Sequence, residues 1–291
     1  MNIDHFVLTR FNVRTAAYLK TQRWQGGDME YLENRFRLFE SYCLASMKRQ
    51  TVAVRWLVFF SELTPACFRS RILSYSRECP SFEPVFVNDA VAKSQREYDA
   101  LYEHAVWSRA GVDCDWCIMT RIDNDDAFNI EAIKWIRECA ERIIAGKPEE
   151  KFFIVLPSGN SYIAHSCFAQ RMKIVSNHFL SLVCKRSVGG NPFEISHSKI
   201  THSGTAIYRD GHEHAWLEVV HGGNQLNSFC PRYRVAFMSA NAMERFFGVT
   251  ENIRFVRTFM FWVLHYLPAR GIWRLARIKR KLFPGKNGGL K

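Results

Sequence analysis

The chain of 291 residues has no long hydrophobic run, no cysteine framework and no acidic residue after position 251. No stretch of about 18 uninterrupted apolar residues occurs, which argues against a transmembrane helix. The first residues, Met1-Asn-Ile-Asp-His5, lack the basic and then apolar segments of a secretory signal. We therefore expect a cytoplasmic protein.

The cysteines do not indicate disulfides or a zinc site. They number nine, an odd count, and they are scattered along the chain, which favours buried thiols in a reducing compartment. Cys114 and Cys117 form a C-x-x-C pair that no second such pair accompanies, so we do not expect a zinc knuckle. With 47% apolar and 23% charged residues, the composition is that of a folded globular protein.

The positive charge is concentrated at one end of the chain. The net charge is +12, and residues 252–291 contain ten Lys or Arg and no Asp or Glu. The first 251 residues therefore carry only 12 − 10 = +2. This distribution predicts a nearly neutral domain over 1–251 and a basic tail over 252–291.

The first half of the chain alternates apolar runs with amphipathic segments. Short apolar runs predict strands at His5–Thr9, Val54–Phe60, Pro84–Asn88, Trp116–Ile122 and Phe152–Leu156. Helical spacing of apolar residues predicts helices at Tyr31–Met47, Pro65–Arg77 and Ser94–Ala110, and another that Gly146 ends.

This alternation predicts an α/β fold with a doubly wound, mostly parallel sheet. Ligands of such sheets bind at the carboxyl ends of the strands, where Arg10, Glu62 and Asp123 would lie together. Beyond Pro157 the sequence is rich in Ser, His, Gly and Asn, and we expect irregular structure there.

An acidic segment follows the fourth predicted strand. Asp123, Asp125 and Asp126 lie within four residues, and such close carboxylates repel one another unless a cation joins them. Mg²⁺ and Mn²⁺ prefer oxygen ligands and commonly bridge carboxylates to substrate phosphates. The alternative is a solvated turn in which Asp126 caps the next helix.

The segment Thr120-Arg-Ile-Asp-Asn-Asp-Asp-Ala127 resembles the T-R-L-D-N-D-D-A signature of the putative rhamnosyltransferase family, bacterial proteins with a GT-A-like (Rossmann-like) nucleotide-sugar fold. Three further stretches agree with it: Phe6-Val-Leu-Thr-Arg-Phe-Asn-Val13, Leu38-Phe-Glu-Ser-Tyr-Cys43 and Trp216-Leu-Glu-Val-Val-His-Gly-Gly-Asn224. The resemblance extends over about residues 5 to 230 and leaves out the tail.

The resemblance implies a divalent metal, Mn²⁺ or Mg²⁺, and a set of site residues. Asp123 and Asp125 would be the D-x-D pair that holds the metal and the donor ribose, Asp126 would complete the shell, and His221 would be a further metal ligand. The donor-binding residues would be Thr9, Arg10, Asn12, Glu62, Arg121, Asp123 and Asn124. For Arg121, a diphosphate contact and a salt bridge to one of the three aspartates remain open.

A transferase also needs a general base near the acceptor hydroxyl. Three carboxylates lie in the expected region, Asp210, Glu213 and Glu218, and the sequence does not choose among them. Trp216 and Asn224 are the candidates for acceptor contacts. Trp216 would stack on a sugar face, or else belong to the core.

The tail contains a basic amphipathic pattern. Arg270, Arg274, Arg277 and Lys281 recur at helical spacing, with apolar residues between them. Such a helix binds an anionic membrane surface, packs on its own domain, or contacts nucleic acid, although no nucleic-acid module accompanies it.

Together these features predict a metal-dependent glycosyltransferase that moves a sugar, rhamnose from dTDP-rhamnose by family resemblance, to a glycan or lipid-linked acceptor. The alternatives are a metal-dependent phosphoesterase and a non-catalytic glycan- or lipid-binding protein on the same fold.

Overall fold

The computed structural model describes residues 2–15, 24–221 and 233–282 of the chain. Its strands are β1 (Ile3–Arg10), β2 (Arg55–Ser61), β3 (Phe82–Val87), β4 (Trp116–Arg121), β5 (Ala127–Phe128), β6 (Lys151–Val155), β7 (Ser158–Ile163), β8 (Phe168–Lys173), β9 (Leu180–Lys185), β10 (Ala206–Arg209), β11 (Trp216–Val220) and β12 (Arg234–Phe237).

The helices are α1 (Met29–Leu38), α2 (Ala66–Glu78), α3 (Gln95–Trp107), α4 (Ala132–Ala145), α5 (Ala240–Phe247), α6 (Phe255–Phe261) and α7 (Leu267–Leu282). A π-helical segment (Phe39–Leu44) and a short α-helix (Ala45–Lys48) continue α1, and a 3₁₀-helix lies at His197–His202. The strands and helices predicted before Pro157 are confirmed, with bounds that differ by a few residues. Asp28 and Ser94 cap α1 and α3 as N-cap side chains do.

The larger sheet confirms the predicted α/β class. Its seven strands run in the order β10-β6-β9-β4-β1-β2-β3, and all neighbouring pairs are parallel except those of β9. Helices cover both faces: α1, α2 and α4 contribute to one core, and α3 contributes to the other. Because β9 is antiparallel to β4, the beginning of β9 lies at the same edge as the end of β4.

A second sheet replaces the irregular structure expected beyond Pro157. Its five strands run in the order β12-β8-β7-β11-β5. The prediction was wrong because buried polar residues, such as Asn160 and Ser161 of β7, interrupt the apolar pattern by which strands are recognised. β5 begins six residues after β4 ends, so the chain passes from one sheet to the other through the acidic segment.

Gly159 of β7 brings the second sheet close to Trp216 of β11. A Cβ atom at Gly159 would lie 2.1 Å from the indole ring, so this position needs glycine. Trp216 is fully enclosed: its Nε1 donates to the Leu156 carbonyl at 2.8 Å, and its ring stacks on Phe179.

The last helices, α6 and α7, form one continuous rod. Pro268 and Gly271 usually interrupt a helix, but here both lie within α7, and a π-helical segment (Trp262–Tyr266) joins α6 to α7. An extra residue in the turn before a proline relieves the clash between its ring and the preceding turn. Among the described residues, no helix combines the length and hydropathy needed to cross a membrane.

Candidate active site

The acidic segment is fixed between the two sheets. β4 supplies one end at Arg121 and β5 supplies the other at Ala127. Asp126 lies between them and is 1% exposed. Its Oδ1 accepts a hydrogen bond of 2.8 Å from the backbone N–H of Val219 in β11. The position of this carboxylate is therefore set by both sheets.

Asp123, Asp126 and His178 form a group that can hold a metal ion. One ligand atom from each side chain lies within 4.8 Å of the others. His178 comes two residues before β9, whose antiparallel direction places its beginning at the end of β4. Two carboxylates with one imidazole suit Mn²⁺ and similar divalent ions. The sequence analysis missed His178 because it lies 52 positions from Asp126 and belongs to no motif.

Asp126 and His178 are coupled electrostatically. His178 Nε2 donates to Asp126 Oδ2 at 2.8 Å. Burial lowers the pKa of His178, but the hydrogen bond and the charge of Asp126 more than offset burial and raise it. Burial also raises the pKa of Asp126, and the charges of Asp125 and Asp123 add to the shift while His178 opposes it. The crowding of negative charge favours a cation at this point.

Asp125 has different partners from the other two aspartates. Its Oδ2 accepts from Arg35 Nη1 at 2.9 Å and from His221 Nε2 at 3.0 Å. Burial would raise the pKa of Asp125, but the His221 hydrogen bond and the Arg35 charge lower it to about 2. The structure thus groups Asp126, rather than Asp125, with Asp123. His221 contacts Asp125 instead of the group that contains His178.

Arg35 ties α1 to the acidic segment. Besides its ion pair with Asp125, it donates to the Asn124 side-chain oxygen. The Asn124 Nδ2 in turn donates to the carbonyls of Arg10 and Phe11, at 3.2 and 2.7 Å. The sequence analysis missed Arg35, for which the sequence offers only its place three residues after Leu32, on the apolar side of the predicted helix.

A second polar cluster lies at the ends of β1, β2 and β3. Asn12 Nδ2 donates to Thr64 Oγ1 at 2.9 Å, and Asn12 Oδ1 accepts from the Ser61 N–H at 3.2 Å. Ser61 Oγ donates to Asp89 Oδ1 at 2.5 Å. Asp89 is 1% exposed and lies two residues after β3. Asp89 was not predicted, whereas predicted Glu62 lies in the exposed turn beside Ser61.

Two predicted donor-binding residues have separate positions. Thr9 is completely buried, and its Oγ1 accepts from Trp56 Nε1 at 2.9 Å inside the core. Thr9 therefore supports the end of β1 rather than lining a pocket. Arg10 is partly exposed at the same strand end, with its guanidinium 4.3 Å from the centre of the Phe193 ring.

Arg121 holds the segment that carries His178. Its Nε donates to the His178 carbonyl at 2.7 Å, and another nitrogen lies 3.2 Å from His197 Nδ1. Burial lowers the pKa of Arg121 to about 10, with Arg10 adding to the shift and Asp123 opposing it. Within the described ranges no carboxylate forms an ion pair with Arg121, so the salt-bridge alternative is not the one observed.

The three candidate bases lie in different surroundings. Asp210 Oδ2 accepts from Arg142 at 3.3 Å, and it follows β10, three strands from β4. Glu213 is exposed, with an Arg171 nitrogen 3.8 Å from its carboxylate. Glu218 of β11 is next to Val219, whose N–H binds Asp126.

Glu218 is the candidate base whose pKa is affected by the charges of the acidic segment. Burial raises the pKa of its carboxyl group, while the charge of His178 opposes the shift. The charges of Asp125 and Asp123 raise the pKa of Glu218 further.

The two predicted acceptor contacts have different outcomes. Trp216 is 1% exposed, so its ring belongs to the core and its faces are not open to a sugar, which corrects the expected stacking role. Asn224 lies outside the described residues, as do Gly222 and Gly223.

Among solved structures, the chain is similar to S. aureus TarS. The TarS 1-349 complex with UDP-GlcNAc has 8% identity and a TM-score of 0.43, and the match covers 84% of this chain and 64% of that one. Another TarS structure has 10% identity and a TM-score of 0.37, with coverage of 76% and 37%. A putative nucleotide-diphospho-sugar transferase from Desulfovibrio desulfuricans G20 has 5% identity and a TM-score of 0.34, with coverage of 72% and 80%.

The chain thus spans between about a third and two thirds of the length of these TarS chains. No curated protein matches its sequence. A family model described as "Putative rhamnosyl transferase" matches residues 6–233, which include both polar clusters and more than three quarters of the chain. The chain belongs to this putative rhamnosyl transferase family.

Proposed function

We propose that this protein is a metal-dependent glycosyltransferase that uses a nucleotide-sugar donor. The observation that carries the proposal is the position of two polar clusters at one edge of the larger sheet. Asp123, Asp126 and His178 lie at the end of β4, and Asn12 and Asp89 belong to the cluster at the ends of β1 to β3.

The spacing of the clusters fits an extended ligand with chemically different ends. The second cluster extends from Asn12, after β1 next to β4, to Asp89, after β3, which lies three strand spacings or about 14 Å from β4. Asn12, Ser61 and Asp89 are buried and hydrogen-bonded to one another, so they would fix the strand ends against which a base could bind rather than contact the base themselves. The carboxylates at the other end suit a metal-bound diphosphate.

Asp123, Asp126 and His178 would hold the metal. A divalent ion bound there supplies positive charge to the departing diphosphate. The protein itself fixes the positions of these metal ligands. The Val219 N–H holds the Asp126 carboxylate, and Arg121 holds the backbone carbonyl of His178. Asp125 positions the segment through its ion pair with Arg35.

Glu218 is the general base in this proposal. It would accept the proton of the acceptor hydroxyl as that oxygen attacks the sugar. A carboxylate with a raised pKa is a stronger base than an exposed one, and burial together with the nearby aspartates raises the pKa of Glu218. Asp210 and Glu213, paired with arginines away from the acidic segment, are less suited to this role.

The family description supports rhamnose as the transferred sugar, and we propose dTDP-rhamnose as the donor. We propose a glycan or a lipid-linked glycan at the cytoplasmic face as the acceptor, with residues 1–251 as the transferase domain.

Release of dTDP from dTDP-rhamnose, with Mn²⁺ and with EDTA, tests the proposal. We expect the native chain to release dTDP with Mn²⁺ and to release none with EDTA. The Asp126→Asn substitution should lower the rate of release at least about a hundredfold, because removing a group that stabilises developing charge costs that much in comparable sites. Asn keeps the Oδ1 that accepts from Val219. Asp210→Asn is the matched control and should retain activity. Release that is unaffected by EDTA and by Asp126→Asn would contradict the proposal.

A further inference from the structure

The C-terminal rod exposes apolar residues on the side that faces away from the protein. Along α6, the π-helical segment and the first residue of α7, seven residues between 36% and 79% exposed repeat at i, i+1, i+4, i+5, i+8, i+9 and i+12. This spacing places them along one side of a helix. We call them the apolar stripe: Phe255, Val256, Phe259, Met260, Val263, Leu264 and Leu267.

The opposite side of the rod is fixed to the second sheet. Thr258 is buried, and its Oγ1 accepts from the Cys167 N–H at 3.0 Å. Phe261 and Tyr266 both contact the ring of Phe168 in β8, at 5.1 and 5.3 Å between ring centres. Since this side is already packed, the apolar stripe is not simply the core-facing side of the helix.

Positive charge accompanies the apolar stripe. Residues 252–291 contain ten Lys or Arg and no acidic residue. Arg274 is exposed on α7, as are Ile272, Leu275 and Ile278. Contiguous exposed apolar surface marks an interaction site. Here the surface is both apolar and cationic.

We propose that the rod Phe255–Leu282 lies along the surface of an anionic lipid bilayer, with the apolar stripe inserted at the boundary between headgroups and acyl chains. A bilayer offers apolar depth and negative charge together, which matches both properties of the rod. A second copy of the chain fits less well, because it would bring two positively charged segments together. Nucleic acid also fits less well, because it would leave the apolar stripe exposed to water.

This inference goes beyond the proposed glycosyl transfer and does not rest on it. Binding to vesicles needs no donor, metal or acceptor, so either proposal can fail while the other stands. If both hold, the rod brings the sheet edge close to lipid-linked acceptors.

Co-sedimentation of the full chain with vesicles tests the inference. We expect binding to vesicles that contain phosphatidylglycerol, and binding at least about tenfold weaker to phosphatidylcholine alone, since each basic residue near the surface adds about fivefold. The variant Phe259→Ser/Val263→Ser should lose at least about tenfold in affinity for the anionic vesicles, because two inserted side chains are removed.

The matched control is Leu73→Ser/Val112→Ser. It also removes two exposed apolar side chains, 57% and 90% exposed, but on α2 and before β4. This variant should bind like the native chain. All three proteins should melt alike, since every substituted side chain is exposed.

Four results would overturn the inference. The first is no binding to anionic vesicles. The second is equal loss of binding in the stripe variant and the control. The third is a native dimer that Phe259→Ser/Val263→Ser converts to a monomer without changing vesicle binding, because the stripe would then be covered by a second copy. Binding to RNA in place of vesicles, unaffected by the stripe variant, would likewise assign the charge to another partner.

Discussion

Protonation of His5 should weaken the fold as the pH falls below neutral. This histidine of β1 is buried in the larger sheet, and its Nε2 lies 2.9 Å from Thr120 Oγ1, which in turn lies 2.7 Å from Ser181 Oγ. Its Nδ1 is buried and has no hydrogen-bond partner among the described residues. Burial, with a contribution from the charge of Arg137, lowers the pKa of His5 from 6.5 to about 3.

The sign and size of the effect follow from that shift in pKa. Because the folded pKa of His5 is below the unfolded one, the unfolded chain binds the proton more tightly. Stability from this group is complete above the unfolded pKa and decreases as the pH falls toward the folded value. At about pH 5, roughly 1.5 units below the unfolded pKa, the loss is about 2 kcal/mol.

The assay is urea unfolding of the native chain and of His5→Gln, each at about pH 7.5 and about pH 5. Other groups titrate over this range in both proteins, so the difference between the two pH dependences isolates His5. His5→Gln should lose about 2 kcal/mol less than the native chain over the interval. Identical pH dependences in the two proteins would refute the argument.

Three further changes have defined outcomes. Gly159→Ala should cost about 1–3 kcal/mol in urea unfolding through overpacking, while Gly211→Ala, whose added Cβ meets nothing within 4 Å, should not. Asp89→Asn should weaken dTDP binding measured by calorimetry without changing Mn²⁺ affinity, and an equal loss of both would argue against a base pocket. Arg35→Met should destabilise the fold by about 1–3 kcal/mol, because the buried Asp125 loses its ion pair and keeps only the contact with His221; an unchanged midpoint would contradict this.

The sequence predicts the first half of the fold well because its strands and helices have clear apolar periodicity. The direction of β9 could not be predicted, because the apolar pattern of Leu180–Lys185 is the same for a strand parallel or antiparallel to its neighbours. The second sheet was missed for a related reason. Its strand β7 carries Ser, Gly and Asn at buried positions, where hydrogen bonds and the close approach of Trp216 replace apolar side chains.

The same contrast applies to the site. The acidic segment is visible in sequence because Asp123, Asp125 and Asp126 are almost adjacent. Their partners come from distant segments: Arg35 from α1 and His178 from before β9. The pairing of β4 with β9 places His178 beside Asp126, and the pairing of β11 with β5 places Val219 there. These partners are visible only in the three-dimensional structure.

The central claim is that one edge of the sheet binds a nucleotide through a metal. A thermal-shift screen of dTDP, UDP, GDP and CMP, each with Mn²⁺, Mg²⁺ or EDTA, tests it most directly. At about 100 times its dissociation constant, a bound nucleotide stabilises the folded chain by about 2.7 kcal/mol. We predict that dTDP with Mn²⁺ gives such a shift in melting temperature and that EDTA removes it. The Asp126→Asn protein should show no shift, whereas the Asp210→Asn protein should show the same shift as the native chain. No shift with any nucleotide, in protein that melts cooperatively, would contradict the claim.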